Sequence, residues 1–198
     1  MGFSVVFGED VDEDFLEGIK PVDYACYDRK YWGQLPAAQA RYRKNPRSYV
    51  FVTDDDSASD GGSGPASVAG YINFFPCEEG LYLDNVLRSP VIRDDDIRPE
   101  EVAPWRHEAN HVYVYSLAIH PDYQNTDAIK VLTRGFRDCL RRLEGEGFPI
   151  SDIDGTTISP HGSKAARRWG FRKNRDLADG TQSYLLDGSA LRAFLEGD

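Results

Sequence analysis

The sequence has little sulfur and no long apolar segment. Its 198 residues include one methionine and three cysteines, Cys26, Cys77 and Cys139. The cysteines form no CxxC pair and no Cys/His spacing typical of zinc ligands, so neither a disulfide framework nor a metal site is indicated. No apolar run approaches the roughly 20 residues of a membrane-spanning helix. The first residues also lack the basic flank and apolar core of a signal peptide, and we expect a cytoplasmic protein.

Positive charge is scarce as well. The chain has 33 acidic and 23 basic side chains, for a formal net charge of −10. This balance argues against a surface that binds nucleic acid or an anionic membrane, because both require a positive potential. The content of 40% hydrophobic and 12% aromatic residues is too rich for a disordered chain. The length suits one hydrophobic core, and we expect a single domain over residues 1–198.

Apolar runs and helical spacings alternate along the chain as in an α/β protein, and their order predicts a mixed sheet with flanking helices. The predicted strands are 3–7, 47–53, 67–76, 109–119, 150–159 and 182–186. The predicted helices are 36–44, 127–143 and 161–169, after helical segments between residues 9 and 31 and before a terminal amphipathic turn. Asp12 is placed to cap the first of these segments, and Pro21 is expected to interrupt it. Residues 54–66 contain only Asp, Ser, Gly, Pro and Ala. They bury too little apolar surface to offset their ordering entropy, so we predict a mobile loop there.

One junction gives the most specific signal. The strand 109–119 ends in a Pro121 turn, and a helix follows within a few residues. The first amides of a helix have no intrahelical partner and, with the positive end of the helix dipole, they form an anion site. Asn125 or Thr126 is placed to cap this helix, and Lys130 lies one turn further on.

The segment Leu117-Ala118-Ile119-His120-Pro121-Asp122-Tyr123-Gln124 resembles the strand-and-loop signature of the GNAT superfamily of N-acetyltransferases, which use acetyl-CoA. Residues 162–171, from Gly162 to Phe171, are similar to the short helix of that family that ends in Gly-Phe. The order of the other elements fits too, so the resemblance covers nearly the whole chain. It implies an α/β (α+β) fold with a mixed, mostly antiparallel central sheet, flanking helices and a splayed strand pair.

The resemblance also implies a function. It implies transfer of an acetyl group from acetyl-CoA to a primary amine, on a small molecule or a peptide, by direct attack in a ternary complex without a metal. Homodimers are common in the superfamily, and a homodimer is expected on that basis. The residues implied in binding acetyl-CoA are Leu117, Ala118, Ile119, Gln124, Asn125, Thr126, Asp127, Ala128, Ile129, Lys130, Ser159, Lys164 and Arg168.

The chain departs from the family pattern at several positions. Gln124 is present, but Asp127 and Ile129 stand where the loop has glycine and a small residue, and they add negative charge and bulk near the pyrophosphate. Ala166 stands where many members have a Tyr acid, and Tyr113 where some have a Glu base. These departures favour an alternative, a non-catalytic GNAT-like module that binds a ligand or a protein and has lost acetyl-CoA chemistry.

Candidates for the acid–base chemistry lie on the strand 109–119 and just before it. An amine must lose a proton as it attacks the thioester, and the oxyanion and the thiolate need donors. We consider His111 and Glu108 as bases and Tyr113 or Tyr115 as donors, since strand alternation places the two tyrosines on the face of His111. The alternative for each is core packing. The main chain of residues 117–119 is the candidate oxyanion site.

Four further features have two readings each. Asp152-Ile153-Asp154-Gly155-Thr156 is similar to the nucleophile motif of haloacid dehalogenase-type phosphatases, but too few residues follow it, and we predict a strand ending in a Gly turn. The segment 77–108 is an insertion that either covers the acceptor site or has no role there. The basic cluster around Lys164 contacts the 3′-phosphate of CoA or is an exposed helix face. The early aromatic residues are core or acceptor wall: Tyr24, Tyr27, Tyr31, Trp32 and Tyr42.

Overall fold

The computed structural model describes residues 2–32, 34–56, 67–82, 89 and 97–197. The predicted mobile loop lies outside these residues from 57 to 66, as do residues 83–88 and 90–96 of the predicted insertion. The strands are β1 (Phe3–Phe7), β2 (Tyr49–Asp54), β3 (Val68–Pro76), β4 (Asn110–Ile119), β5 (Ile150–Thr157), β6 (Arg172–Asp176) and β7 (Gln182–Asp187). The helices are α1 (Ile19–Cys26), α2 (Leu35–Lys44), α3 (Glu79–Leu81), α4 (Ala128–Gly145), α5 (Pro160–Arg168) and α6 (Gly188–Glu196).

The strands form one seven-stranded sheet in the order β1-β2-β3-β4-β5-β7-β6. The β1–β2, β2–β3, β5–β7 and β6–β7 pairs are antiparallel, and β4–β5 is parallel. The β4–β5 register ends at Val114 and Gly155, before β4 itself ends at Ile119. The prediction of a mixed, mostly antiparallel sheet with flanking helices is confirmed.

Two elements near the C-terminus were missed from the sequence. β6 consists of Arg-Lys-Asn-Arg-Asp and has no apolar alternation, because it is the last strand of the sheet and its side chains are exposed or half-buried. The predicted terminal turn is the complete helix α6, which buries Leu191, Phe194 and Leu195.

Two local predictions need correction, and a third is confirmed. Pro21 does not interrupt a helix but lies in the first turn of α1, where a missing amide hydrogen leaves no intrahelical bond unmade. Gly155 is not a turn residue, since β5 continues through it to Thr157. The predicted cap Asp12 accepts a hydrogen bond from the Phe15 amide at 3.2 Å and begins the short 3-10 helix Glu13–Gly18.

The chain forms two compact units. The first contains Met1–Asn73 and Ser116–Cys139. Its apolar core joins the early helices to β2, β3 and the end of β4, and includes Leu16, Val22, Tyr49, Phe51 and Tyr71. At Gly70 in β3, a Cβ atom would lie 2.7 Å from the carbonyl oxygen of Ala118. Glycine at this position therefore allows β3 to approach the end of β4 closely.

The second unit contains Phe74–Tyr115 and Leu140–Asp198. One of its clusters buries Tyr113 of β4 against Phe75, Leu81, Tyr82 and Val102. The described parts of the predicted insertion thus cover the β4 face that carries Tyr113. Helix α5 ends at Gly170, which has φ +90° and donates its amide hydrogen to the Arg167 carbonyl at 3.1 Å, as expected for a glycine cap. Within the described residues, no helix has the length and apolar character needed to cross a bilayer.

Candidate active site

The junction between β4 and α4 is held by side chains of its own loop. Gln124 Nε2 donates a hydrogen bond to the Ile119 carbonyl at 3.1 Å, which ties the loop to the strand end. Thr126 Oγ1 donates to the Tyr123 carbonyl at 2.6 Å and accepts from the Ala128 amide at 3.2 Å. Of the two predicted caps, Thr126 is therefore the one that caps α4. Asn125 is an exposed residue of the turn before it.

Helix α1 and the residue after it contact the carbonyl groups at the end of β4. Tyr27 donates its hydroxyl proton to the Leu117 carbonyl at 2.8 Å, and the Cys26 thiol donates to the Ile119 carbonyl at 3.1 Å. Both carbonyls belong to residues that the resemblance assigns to the pantetheine arm. Ala118, between them, is buried. The first unit therefore supplies hydrogen-bond donors to this strand segment that the sequence did not indicate.

Asp127 and Lys130 pair with each other at the start of α4. Their carboxylate and ammonium groups are 2.6 Å apart, and both side chains are largely exposed. The hydrogen bond and charge of Lys130 lower the pKa of Asp127, so this residue is a carboxylate at neutral pH. Ile129 is half-buried, and Ala128 is buried. A carboxylate thus lies at the loop position where the resemblance places glycine.

Three predicted cofactor residues line one pocket in the second unit. The pocket has a volume of about 620 Å³ and is lined by Ser159, Lys164 and Arg168, together with Arg167 and residues of the β5–α5 turn. Ser159 caps α5 by accepting a hydrogen bond from the Gly162 amide at 3.0 Å. Three cationic side chains and a helix N-terminus make this pocket suitable for an anionic ligand.

His111 is held by a carboxylate. Its Nδ1 donates a hydrogen bond to Asp152 Oδ2 at 2.7 Å, and its side chain is 34% exposed. The ring of Tyr82 stacks on the imidazole with centroids 3.9 Å apart. Burial raises the pKa of Asp152, and hydrogen bonds from His111 and Tyr82 partly offset this. In this arrangement the neutral imidazole keeps a lone pair on Nε2, which is the geometry of a histidine general base.

A second carboxyl group lies next to this pair. Asp154 is 1% exposed, and neither of its oxygens has a hydrogen-bond partner among the described residues. Burial and the charge of Asp152 raise the pKa of Asp154 to about 8, so the group is largely protonated at neutral pH. The two aspartates come from the phosphatase-like motif, and the structure places them inside β5. Among the described residues, no group of three or more His, Cys, Asp and Glu side chains could hold a metal ion.

The other predicted acid–base residues do not share the hydrogen-bonded geometry of His111 and Asp152. Tyr113 is 1% exposed, packs on Phe75, and its hydroxyl is 3.4 Å from Thr156 Oγ1. Tyr115 is half-buried and also packs on Phe75. Glu108 is exposed in the loop before β4. His111 is therefore the predicted residue with the clearest geometry of a base.

The sequence patterns did not single out several polar residues that the structure brings together. Asp152 was noted only as part of the phosphatase-like motif, and its contact with His111 follows from the parallel pairing of β4 with β5. In the first unit, Asp23, Tyr71 and Ser116 form a hydrogen-bonded chain with Tyr27. The sequence placed Tyr27 among aromatic residues of the core or the acceptor wall, but no local pattern could show what its hydroxyl contacts.

Solved structures similar to this chain include a GNATL domain, a GNAT-like decarboxylase and N-acetyltransferases. The loading GNATL domain of CurA from Lyngbya majuscula matches over 94% of this chain and 98% of that domain, with TM-score 0.67 and 10% identity. The GphF GNAT-like decarboxylase in complex with isobutyryl-CoA matches over 93% and 98%, with TM-score 0.59 and 10% identity. The ribosomal-protein-S18-alanine N-acetyltransferase from Escherichia coli matches over 93% and 91%, with TM-score 0.52 and 11% identity.

No protein-family model matches the sequence, and no curated protein does. The likeness is therefore one of fold. This chain has the GNAT fold, as the resemblance of its motifs implied.

Proposed function

We propose that this chain is an acetyl-CoA-dependent N-acetyltransferase that acts on a primary amine. The observation that carries the proposal is the β4–α4 junction, where Gln124 ties the connecting loop to the end of β4 and Thr126 caps the helix that presents the first amides of α4. Those amides are suited to the pyrophosphate of a CoA thioester. The GNAT fold and the neighbours solved with CoA or isobutyryl-CoA support the same ligand class.

The proposal assigns the pocket around Lys164 to the phosphate at the adenosine end of acetyl-CoA. Lys164, Arg167 and Arg168 supply positive charge there on a chain whose net charge is −10. A divalent phosphate gains most from such a cluster, because charge-assisted hydrogen bonds are roughly twice as strong as neutral ones.

We assign His111 the role of general base, with Asp152 fixing its orientation. The amine would attack the thioester directly. A covalent intermediate on cysteine is disfavoured because the thiols are held in the protonated form: burial and then Asp23 raise the pKa of Cys26 to about 11, and burial raises the pKa of Cys77 well above its usual value. Cys139 is buried within α4.

Calorimetric titration of the purified protein with acetyl-CoA, with CoA as the comparison, tests the ligand. Micromolar binding followed by thiol release with an amine panel is the expected result. Absence of heat and of competition at millimolar ligand would instead favour the non-catalytic module, which the exposed carboxylate of Asp127 and the buried position of Tyr113 also favour.

A paired measurement locates the adenosine end. Lys164→Ala is expected to weaken acetyl-CoA about 5- to 20-fold and to leave acetyl-dephospho-CoA, which lacks the 3′-phosphate, unchanged. Arg43→Ala, an exposed residue of α2, is the matched control for loss of one positive charge. Equal weakening of both ligands by Lys164→Ala would contradict the assignment.

A further inference from the structure

The first unit contains a continuous chain of hydrogen-bonding side chains that begins at a buried carboxyl group. Tyr71 donates its hydroxyl proton to Asp23, and Tyr71 Oη lies 2.9 Å from Ser116 Oγ. Ser116 Oγ lies 3.2 Å from the Tyr27 hydroxyl, which donates to the Leu117 carbonyl at 2.8 Å. The chain therefore runs from α1 through β3 to the strand segment proposed to hold the pantetheine arm.

The two ends of this chain differ in exposure. Asp23 is 6% exposed and Tyr71 3%, whereas Ser116 and Tyr27 are half-buried. The position of Tyr27 is fixed by Trp32, whose Nε1 donates to the Tyr27 carbonyl at 2.8 Å. The Ser116 end of the chain is therefore nearer to solvent than the carboxyl group is.

The number of protons shared along this hydrogen-bonded chain depends on whether Asp23 is ionised. When Asp23 is ionised, Tyr71 gives its proton to Asp23 and Tyr27 gives its proton to the Leu117 carbonyl. Ser116 has one proton for two oxygen neighbours, so one of its two contacts lacks a hydrogen. When Asp23 is protonated, four protons are available for the four contacts. Each side chain then donates to the next, in the order Asp23, Tyr71, Ser116, Tyr27 and finally the Leu117 carbonyl. The chain is therefore one proton short while Asp23 is ionised.

We propose that Asp23, Tyr71 and Ser116 form a relay that removes a proton from an acceptor substrate arriving as an ammonium ion. The inference rests on the proposed function. The substrate N–H bond breaks, its electron pair stays on nitrogen as the attacking lone pair, and its proton goes to Ser116 Oγ. Ser116 passes its own proton to Tyr71, and Tyr71 passes its proton to Asp23. Ammonium and carboxylate thus become amine and carboxylic acid.

An ammonium must lose two protons to become an amide nitrogen. The relay takes only the first, before attack, and the second is lost from the nitrogen as the tetrahedral intermediate collapses to the amide and the CoA thiol. Ser116, which would contact the substrate, is the catalytic residue of the relay, and Asp23 and Tyr71 act through it as positioning residues. Burial raises the pKa of Asp23 to about 6, and the hydrogen bond from Tyr71 limits the rise, so the group is ionised and able to accept a proton at neutral pH.

Other ionisable groups lie near α1, and the experiment has to separate them from Asp23. The nearest are Tyr71, Tyr27 and Cys26. Two short 3-10 helices pack against α1. The first, Glu13–Gly18, carries Glu13, Asp14 and Glu17. The second, Pro121–Tyr123, carries Asp122 and Tyr123 and is preceded by His120.

Two variants and a control test the relay by its rate profile. In the wild type, kcat/KM for the amine is expected to fall below about pH 6, where Asp23 becomes protonated. Asp23→Asn should lose the part of this limb that belongs to Asp23 and lower kcat/KM about 100-fold, with the affinity for acetyl-CoA unchanged, and His111→Gln identifies any part that belongs to the proposed base. Ser116→Ala should lower the rate to a similar extent, and Asp28→Asn, an exposed aspartate just after α1, should keep the wild-type profile. An unchanged limb in Asp23→Asn overturns the proposal.

A readout that needs no activity separates failure of the relay from failure of the proposed function. Carbon-13 NMR of the aspartate carboxyls, assigned with Asp23→Asn, follows the titration of Asp23 directly. We expect a midpoint near pH 6 that rises in Ser116→Ala, because Tyr71 loses a donor and holds the carboxylate less well. A midpoint near 4, or one that Ser116→Ala does not move, overturns the relay. A wild type that neither binds nor consumes acetyl-CoA, with the midpoint as expected, contradicts the proposed function and leaves the proton chain supported.

Discussion

Asp23 and Asp154 are both buried carboxyl groups, one in each unit, but their surroundings differ. Asp23 accepts a hydrogen bond from Tyr71, and its pKa rises through burial to about 6. Asp154 has no hydrogen-bond partner among the described residues and lies beside the charge of Asp152, and its pKa rises through burial to about 8. Burial alone therefore does not decide the charge at neutral pH. One good donor keeps a buried carboxyl ionised, and a neighbouring carboxylate keeps one neutral.

Two further carboxyl groups complete this comparison. Asp152 is buried but is paired with His111, and Asp127 is exposed and paired with Lys130, which lowers the pKa of Asp127. Four aspartates thus span the range from an exposed carboxylate to a buried carboxylic acid. Each can be altered by one substitution.

The largest effect is expected for Asp154→Asn. The folded-state pKa of about 8 lies above the usual 3.8, so the wild type has its full stability at low pH and loses stability as the pH rises from about 4 to 8. The variant lacks this loss. Its free energy of unfolding relative to wild type should therefore increase by roughly 5–6 kcal/mol across that window and level off above it.

Urea unfolding at a series of pH values measures this difference. The exposed control Asp28→Asn should show no comparable trend. A difference between Asp154→Asn and wild type that is the same at pH 5 and pH 8 would mean that Asp154 is ionised in the folded protein.

Asp152→Asn is expected to lower kcat about 100-fold and to leave the KM for acetyl-CoA nearly unchanged. An amide at this position can donate to His111 Nδ1 and so favour the tautomer that carries its proton on Nε2, which cannot act as a base. Steady-state kinetics with the amine substrate measure the effect. Asp176→Asn, on the exposed strand β6, is the control, and a kcat equal to wild type would remove His111 from the proposed role.

Tyr71→Phe is expected to make Asp23 resemble Asp154. Loss of the donated hydrogen bond should raise the pKa of Asp23 above about 6 and cost about 1–3 kcal/mol of unfolding free energy at neutral pH. Carboxyl NMR and urea unfolding measure the two consequences. Tyr31→Phe, an exposed tyrosine, is the matched control. A lower midpoint for Asp23 would contradict the view that Tyr71 stabilises its charge.

The smallest effect is expected at Asp127. Asp127→Gly should tighten CoA binding about 2- to 5-fold, because it removes a negative charge that faces the proposed pyrophosphate position and frees Lys130. Asp127→Asn separates the charge from the backbone effect of glycine. Calorimetry with CoA measures both variants, and weaker binding by both would place the phosphates elsewhere.

The sequence was most informative where the structure is local. The β4–α4 junction, the caps Asp12 and Thr126 and the end of α5 at Gly170 all depend on residues a few positions apart, and their patterns predicted them. The resemblance of the junction to a known fold then implied the mixed, mostly antiparallel character of the sheet. β6 was missed because an edge strand needs no apolar alternation.

The side-chain networks could not be predicted in the same way. His111 and Asp152 are 41 residues apart, and Asp23 and Tyr71 are 48 apart. Their contacts depend on which strands are neighbours and on register, and no spacing in one sequence encodes either. The positions assigned to acetyl-CoA stay predictions, to be tested by the binding measurements above.

The exposed strand β6 has a consequence for how this protein behaves at high concentration. A terminal strand presents unused backbone donors and acceptors to which a strand of another molecule can add. Arg172, Lys173, Arg175 and Asp176 occupy four of its five positions. An incoming strand would have to strip water from these charges, and charged side chains at the edge of a sheet oppose such addition. At this end, the sheet is therefore protected against edge-to-edge aggregation.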